Sequence, residues 1–208
     1  MPLQSAFDKL LALDIDRLPP PLRAASLNQP VFSVSVKAAG AGFEPERWPA
    51  DLPAEAPVDL FGKLGIKSWR DGGSLSPIFR GGPLRPMVEY LLSQPTAAQR
   101  TVARAWLETG TPLMLHLYRF QDFSQISEVR WQTDPRGVHF VSACQRGASG
   151  DVLGEAMAPM RALAAQVAAL LPPRAHIVEL ACRPDGATRL VEINPALEPR
   201  ELRALGVA

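Results

Sequence analysis

Cysteine is scarce in this chain: Cys144 and Cys182 are the only two in 208 residues, too few to staple a secreted scaffold. Neither sign of charge dominates, since 22 basic residues face 21 acidic ones for a formal net charge of +1. That excludes bulk-charge coating of nucleic acid or of anionic membranes. No apolar run approaches the roughly 20 residues that span a bilayer. The N-terminal stretch MPLQSAFDKLLALDIDR lacks the basic-then-apolar order of a signal peptide. Also missing are a Gly-x-Ser-x-Gly nucleophile elbow and a Gly-x-x-x-x-Gly-Lys-Ser/Thr phosphate loop. The three histidines, His116, His139 and His176, show no short metal-ligand spacing and read as core or half-buried residues. Cys144 and Cys182 read as small buried hydrophobes. A soluble cytoplasmic protein is expected. The 47% of apolar residues are enough for one sizeable domain, or a small one leaning on a larger.

What the chain has in excess is proline, 21 residues, about twice the usual share. Its placement divides the sequence. Residues 3–17 suit a short amphipathic helix carrying Phe7, Leu10, Leu11 and Leu13, stopped by Pro19-Pro20-Pro21. Residues 31–36 alternate as a strand, 40–57 read as an irregular connector holding Pro45, Pro49 and Pro53, and 58–64 read as a second strand. A polar Gly-rich stretch follows, then two helices, 86–92 and 97–107. From 112 the period changes to three strands, 113–118, 126–131 and 138–144. A long helix opens at Asp151, with a possible bend at Pro159 and an end at Pro172-Pro173, and its core stripe is Leu163, Val167, Leu170 and Leu171. Strands 176–182 and 187–193 close the pattern, which is that of an α+β protein with antiparallel sheets.

The last two strands carry the most chemistry. Asp185-Gly186 between alternating runs is a strong hairpin signal. A two-residue loop there sets Pro184 opposite Ala187 and Glu179 opposite Glu192, with Asn194 on the same face. Two carboxylates in register repel each other. A hard divalent cation such as Mg²⁺ would compensate, since it takes carboxylate and amide oxygens. A solvated face near Arg183 or Arg189 would also tolerate them, and a one-residue slip would separate the acids.

Val191-Glu192-Ile193-Asn194-Pro195, with an acid on the partner strand, resembles the metal-binding end of the ATP-grasp superfamily. The stretch from Phe61 to Asp71 resembles the first nucleotide segment of one of its branches, that of the cell division cycle protein 123 family and short bacterial and phage relatives. Lys63 matches the strand-end lysine, and Lys67, Ser68, Arg70 and Asp71 match the loop after it. From 61 to 85 there are five basic residues against one acid, which a solvated basic loop would equally show. The resemblance implies that the backbone of His116, Leu117 and Tyr118 meets the adenine edge. Asp122 would be a ribose contact or a simple turn residue. Glu128 and Arg130 share a strand face, where they can pair, and Arg130 can also fork onto a phosphate. Arg146, ending Ser142-Ala143-Cys144-Gln145-Arg146, is a second phosphate arginine by the same likeness. Val129, Cys144 and Glu179 depart from the pattern, which has an aromatic at the first, no inserted residue at the second and an aspartate at the third.

The resemblance, which spans about 61–205, implies an ATP-grasp-like α+β fold of two lobes whose antiparallel sheets sandwich MgATP. The expected divisions are 1–57, of unassigned role, 58–110, a smaller lobe with the lysine loop and helices, and 111–208, the C-terminal ATP-grasp lobe with the metal-binding hairpin. Lys63, Arg130 and Arg146 would be catalytic, and Glu179, Glu192 and Asn194 would hold Mg²⁺. The implied function is ATP-dependent ligation, activating a small-molecule or peptide carboxylate as an acylphosphate. The alternative is an ATP-binding assembly factor for a protein client. An unrelated α+β binding module would account for the composition alone.

Overall fold

A computed structural model describes residues 2–65, 67–68 and 78–204. In chain order the elements are α1 (Pro2–Leu11), α2 (Pro20–Ala25), β1 (Pro30–Ala39), β2 (Gly42–Arg47), β3 (Leu60–Leu64), β4 (Lys67–Ser68), β5 (Ile78–Phe79), α3 (Leu84–Ser93), α4 (Ala97–Glu108), β6 (Leu113–Arg119), β7 (Ser127–Asp134), β8 (Gly137–Cys144), α5 (Gly150–Leu170), β9 (His176–Cys182), β10 (Thr188–Pro195) and α6 (Pro199–Ala204). They fall into two compact units. The first comprises Met1–Asp14, Gln29–Phe120 and Leu197–Ala208, and the second Ile15–Asn28 and Gln121–Ala196. Among the described residues no helix is long and apolar enough to cross a membrane.

The first unit is built on a sheet of order β2-β1-β6-β3-β4, with β5 also pairing β3. Alternation gives it one apolar face. Val34, Val36, Leu60, Leu64, Leu113, Leu115 and Leu117 are buried in one cluster with Leu84, Val88, Leu91 and Leu92 of α3 and Ala103 and Trp106 of α4. Gly62 lets α3 come close, because a Cβ there would stand 3.0 Å from the Leu91 side chain. Gly65 adopts φ +53°, and a Cβ there would stand 2.7 Å from the Trp106 ring. Thr96 and Gln99 form a reciprocal cap at the start of α4, which fixes where that helix begins. At the far side of the unit, Ser5 Oγ and Lys9 Nζ each donate to Glu201 at 2.8 Å. The Glu198 backbone N–H donates to the same carboxylate, so α1 and α6 are tied together.

The second unit is a sheet of order β10-β9-β7-β8 with α5 packed along one face. Ala156, Met160, Ala164 and Val167 of the helix are buried, as are Val129, Trp131, Val178, Leu180, Leu190 and Ile193 of the strands.

Several expectations need correcting. The first helix ends at Leu11 rather than running to 17, and Pro20 and Pro21 open α2 at its first positions, where a missing N–H costs nothing. The connector 40–57 contains β2, whose Pro45 is accommodated because β2 lies at the sheet edge. Leu170 is exposed, whereas Val167 and Leu171 are buried as expected, and Ala156, Met160 and Ala164 complete the buried side of α5. Helix α5 continues through Pro159. Cys144 and His139 are exposed, because β8 is an edge strand whose residues are largely solvent-facing. Cys182 and His176 are buried as expected.

The β9–β10 loop also differs. Arg183 N–H donates to Ala187 C=O and Gly186 N–H to Arg183 C=O, so the loop has three residues, with Gly186 at φ +79°. That is a turn followed by a left-handed glycine, the next most common hairpin closure. It sets Leu180 opposite Leu190, one residue out of the expected register. A bulge between Leu190 and Glu192 then takes up the extra residue, and Glu179 faces Glu192 after all.

Candidate functional site

In β7 the residues Ser127, Val129, Trp131 and Thr133 are buried, which turns Glu128, Arg130, Gln132 and Asp134 to the other side of the sheet. On that side one transverse line crosses all four strands. Ser142 pairs with Arg130, Arg130 with Glu179, and Glu179 with Glu192. Arg130 donates from Nη2 (2.7 Å) and Nε (3.1 Å) to Oε1 of Glu179. Asn194 lies two residues beyond Glu192 and so shares its face. Burial raises the Glu179 carboxyl above its ordinary pKa, with Glu192 adding to the effect and Arg130 opposing it. The site thus holds more negative charge than its one arginine offsets. Two carboxylates and an amide oxygen are hard donors that suit a cation of the Mg²⁺ type.

Glu128 and Arg130 do not pair with each other. Residues two apart on one strand stand about 6.5 Å apart, farther than cross-strand neighbours. Arg130 therefore takes Glu179, while Glu128 Oε2 lies 3.9 Å from Arg146 Nη1. Arg146 is anchored through its backbone. Its N–H donates to Ser127 Oγ at 3.0 Å, and that hydroxyl also accepts from Ala148 N–H. A Cβ at Gly147 would overlap the Gln125 carbonyl. Ser127 and Gly147 are the residues that sequence reasoning missed here. The signal available was a buried polar residue at an apolar strand position, together with the glycine next to the arginine.

The first unit has its own polar line. On the side of its sheet away from α3 and α4, Ser33 pairs with His116, His116 with Lys63, and Lys63 with Ser68. In the β3–β4 pairing Lys63 faces Ser68, while Lys67 faces Leu64. The side chains of Lys67 and Ser68, and all of Arg70 and Asp71, lie outside the described residues. His116, Leu117 and Tyr118 sit on a strand paired on both sides, so their backbone groups serve the ladders. The Leu117 side chain belongs to the core, and the Tyr118 ring stands 6.1 Å from that of His116. Asp122 caps a single 3₁₀ turn by accepting from Ser124 N–H at 2.9 Å, a bond that holds its carboxyl below the ordinary range.

No family model matches the chain, and no curated protein matches it in sequence. Solved structures do. Cdc123 from Schizosaccharomyces pombe is similar at TM-score 0.56 and 13% identity, over 91% of this chain and 85% of that one. The C-terminally truncated form of that protein gives TM-score 0.55 at 13% identity, over 90% and 85%. The L-amino acid ligase from Bacillus licheniformis gives 0.45 at 13% identity, covering 92% of this chain and 44% of that one. The likeness to Cdc123 shows a shared fold, an α+β arrangement built on two antiparallel sheets.

Proposed function

We propose that the protein binds MgATP and uses it to activate a carboxylate as an acylphosphate for attack by an amine or similar nucleophile, in the manner of an ATP-dependent ligase. The observation that carries this reading is the line Arg130–Glu179–Glu192, with Asn194 beside it. A Mg²⁺ ion held by Glu179, Glu192 and Asn194 would neutralise charge developing on the phosphates. Lys63 supplies a point charge to the triphosphate, and Arg130 and Arg146 supply planar forks. Lys67, Ser68, Arg70 and Asp71 complete the phosphate loop. Because the backbone of His116, Leu117 and Tyr118 is committed to the sheet, the adenine edge falls to the chain just beyond β6. The free thiols suit a cytoplasmic setting. A second reading, an ATP-binding factor serving a protein client without ligation, draws on the likeness to Cdc123, which extends over most of both chains.

Calorimetric titration of ATP with and without Mg²⁺ tests the site. Binding is expected to depend on Mg²⁺ and to weaken roughly tenfold or more in Glu192→Gln with Asn194→Ala. Absence of heat, and of thermal stabilisation at millimolar MgATP, would overturn both readings. Release of ADP on adding a carboxylate and an amine separates ligation from binding alone.

A further inference from the structure

The first unit contains a chain of side chains that nucleotide binding does not use. Ser33 Oγ lies 2.8 Å from His116 Nδ1, and Asp14 Oδ1 lies 3.4 Å from His116 Nε2. The two residues stand at opposite nitrogens of one ring, Ser33 within hydrogen-bond distance and Asp14 at an ion-pair distance without a hydrogen bond. A carboxylate beside Nε2 favours the tautomer protonated there, leaving Nδ1 to accept from the serine hydroxyl. Burial is graded along the chain. His116 is fully buried and Asp14 is 4% exposed, whereas Ser33 is half-buried. A base and its orienting carboxylate are thus kept dry while the hydroxyl stays within reach, the arrangement of an activated nucleophile. Across β6 from Ser33, Lys63 is the register partner of the same His116. Strands lie about 4.8 Å apart, so the Ser33 and Lys63 backbones are about 10 Å apart, a span that a lysine side chain and one phosphoryl group can bridge.

We infer that Ser33 accepts the γ-phosphoryl group of ATP, with His116 as general base and Asp14 as the residue that orients it. This rests on the nucleotide reading above. Ser33 Oγ attacks the γ-phosphorus while its proton passes to His116 Nδ1. The bond from that phosphorus to the β,γ-bridging oxygen breaks, and ADP leaves with the bond's electron pair. The products are a phosphoserine monoester and an imidazolium beside Asp14, which returns its proton to solvent. Lys63 balances charge on the phosphoryl group in transit.

The test incubates the full chain with MgATP and follows intact mass and phosphopeptide position, with calorimetric MgATP binding measured in parallel. One phosphoryl group is expected, on the peptide containing Ser33. It should be absent in Ser33→Ala, present in Ser35→Ala, and recovered as phosphothreonine in Ser33→Thr. Asp14→Asn, checked for native circular dichroism, should slow incorporation roughly 100-fold or more. Binding without incorporation, or incorporation that persists in Ser33→Ala, overturns the inference and leaves the nucleotide site standing. Absence of MgATP binding removes the phosphoryl donor and overturns both.

Discussion

Arg130, Glu179 and Glu192 form a three-body electrostatic problem with a sign that can be measured. Glu179 is half-buried between a like charge and an opposite one, and its carboxyl is raised by burial first and by Glu192 second. Glu192→Gln removes the like charge and should lower the Glu179 pKa. Arg130→Gln removes the opposing cation and should raise it further. Carboxyl-detected NMR titration reads both directions, and a Glu179 midpoint that stays put in both variants would mean that the three side chains are not coupled in solution. The acids were legible in the sequence because two alternating runs around Asp185-Gly186 leave few registers. The bulge after Leu190 was not legible, because Val191 carries none of the glycine cues that mark many bulges. A three-residue loop and a one-residue bulge cancel, so the right pairing came from the wrong loop. Asp14 was invisible for a different reason, since no local period links it to His116 on a strand far along the chain.

At the scale of elements, the helices and strands with strong periods stood out in the sequence, and the miscast ones share a cause. Proline in the sequence suggests a terminator at 19–21 and irregularity at 40–57. In the fold it starts α2 and sits in an edge strand. Glycine allows a sharper experiment. Gly40 and Gly65 have nearly equal φ, +54° and +53°, but a Cβ at Gly40 meets nothing within 4 Å while one at Gly65 stands 2.7 Å from Trp106. Gly40→Ala should cost about 1–2 kcal/mol, the left-handed penalty alone. Gly65→Ala should cost roughly 1–3 kcal/mol more, from forced repacking of the Trp106 ring. Urea unfolding of the two variants side by side reads the difference, and equal midpoints would show that the β3–β4 turn yields without cost. Since that turn sets Lys63 beside Ser68, Gly65→Ala should also weaken ATP binding, whereas Gly40→Ala should not.

For the whole molecule, the two units should respond to acid in different windows. In the second unit, burial holds His176 down at about 4 from an ordinary 6.5, with Arg174 contributing. The unfolded chain binds that proton more readily than the folded one. Its share of stability, on the order of 3 kcal/mol, is therefore intact above pH 6.5 and drains away as pH falls towards 4. In the first unit, burial pushes Glu201 up, but Lys9, the Glu198 backbone N–H and Ser5 outweigh it and hold the group at about 2 from 4.5. That contribution is intact above pH 4.5 and is lost as pH falls through 2. Stability profiles should show loss between pH 6.5 and 4, removed in His176→Phe, ahead of a second loss at lower pH. A wild-type profile flat to pH 4 would contradict the buried neutral imidazole. The ties between α1 and α6 also bear on biosynthesis. Lys9 and Glu201 are 192 residues apart in the chain. At the usual 5–20 residues per second, the ribosome adds Glu201 roughly ten to forty seconds after Lys9. During that interval Ser5 and Lys9 of α1 lack the Glu201 carboxylate that ties them to α6, so the final docking of α1 is set by elongation speed as well as by folding rate.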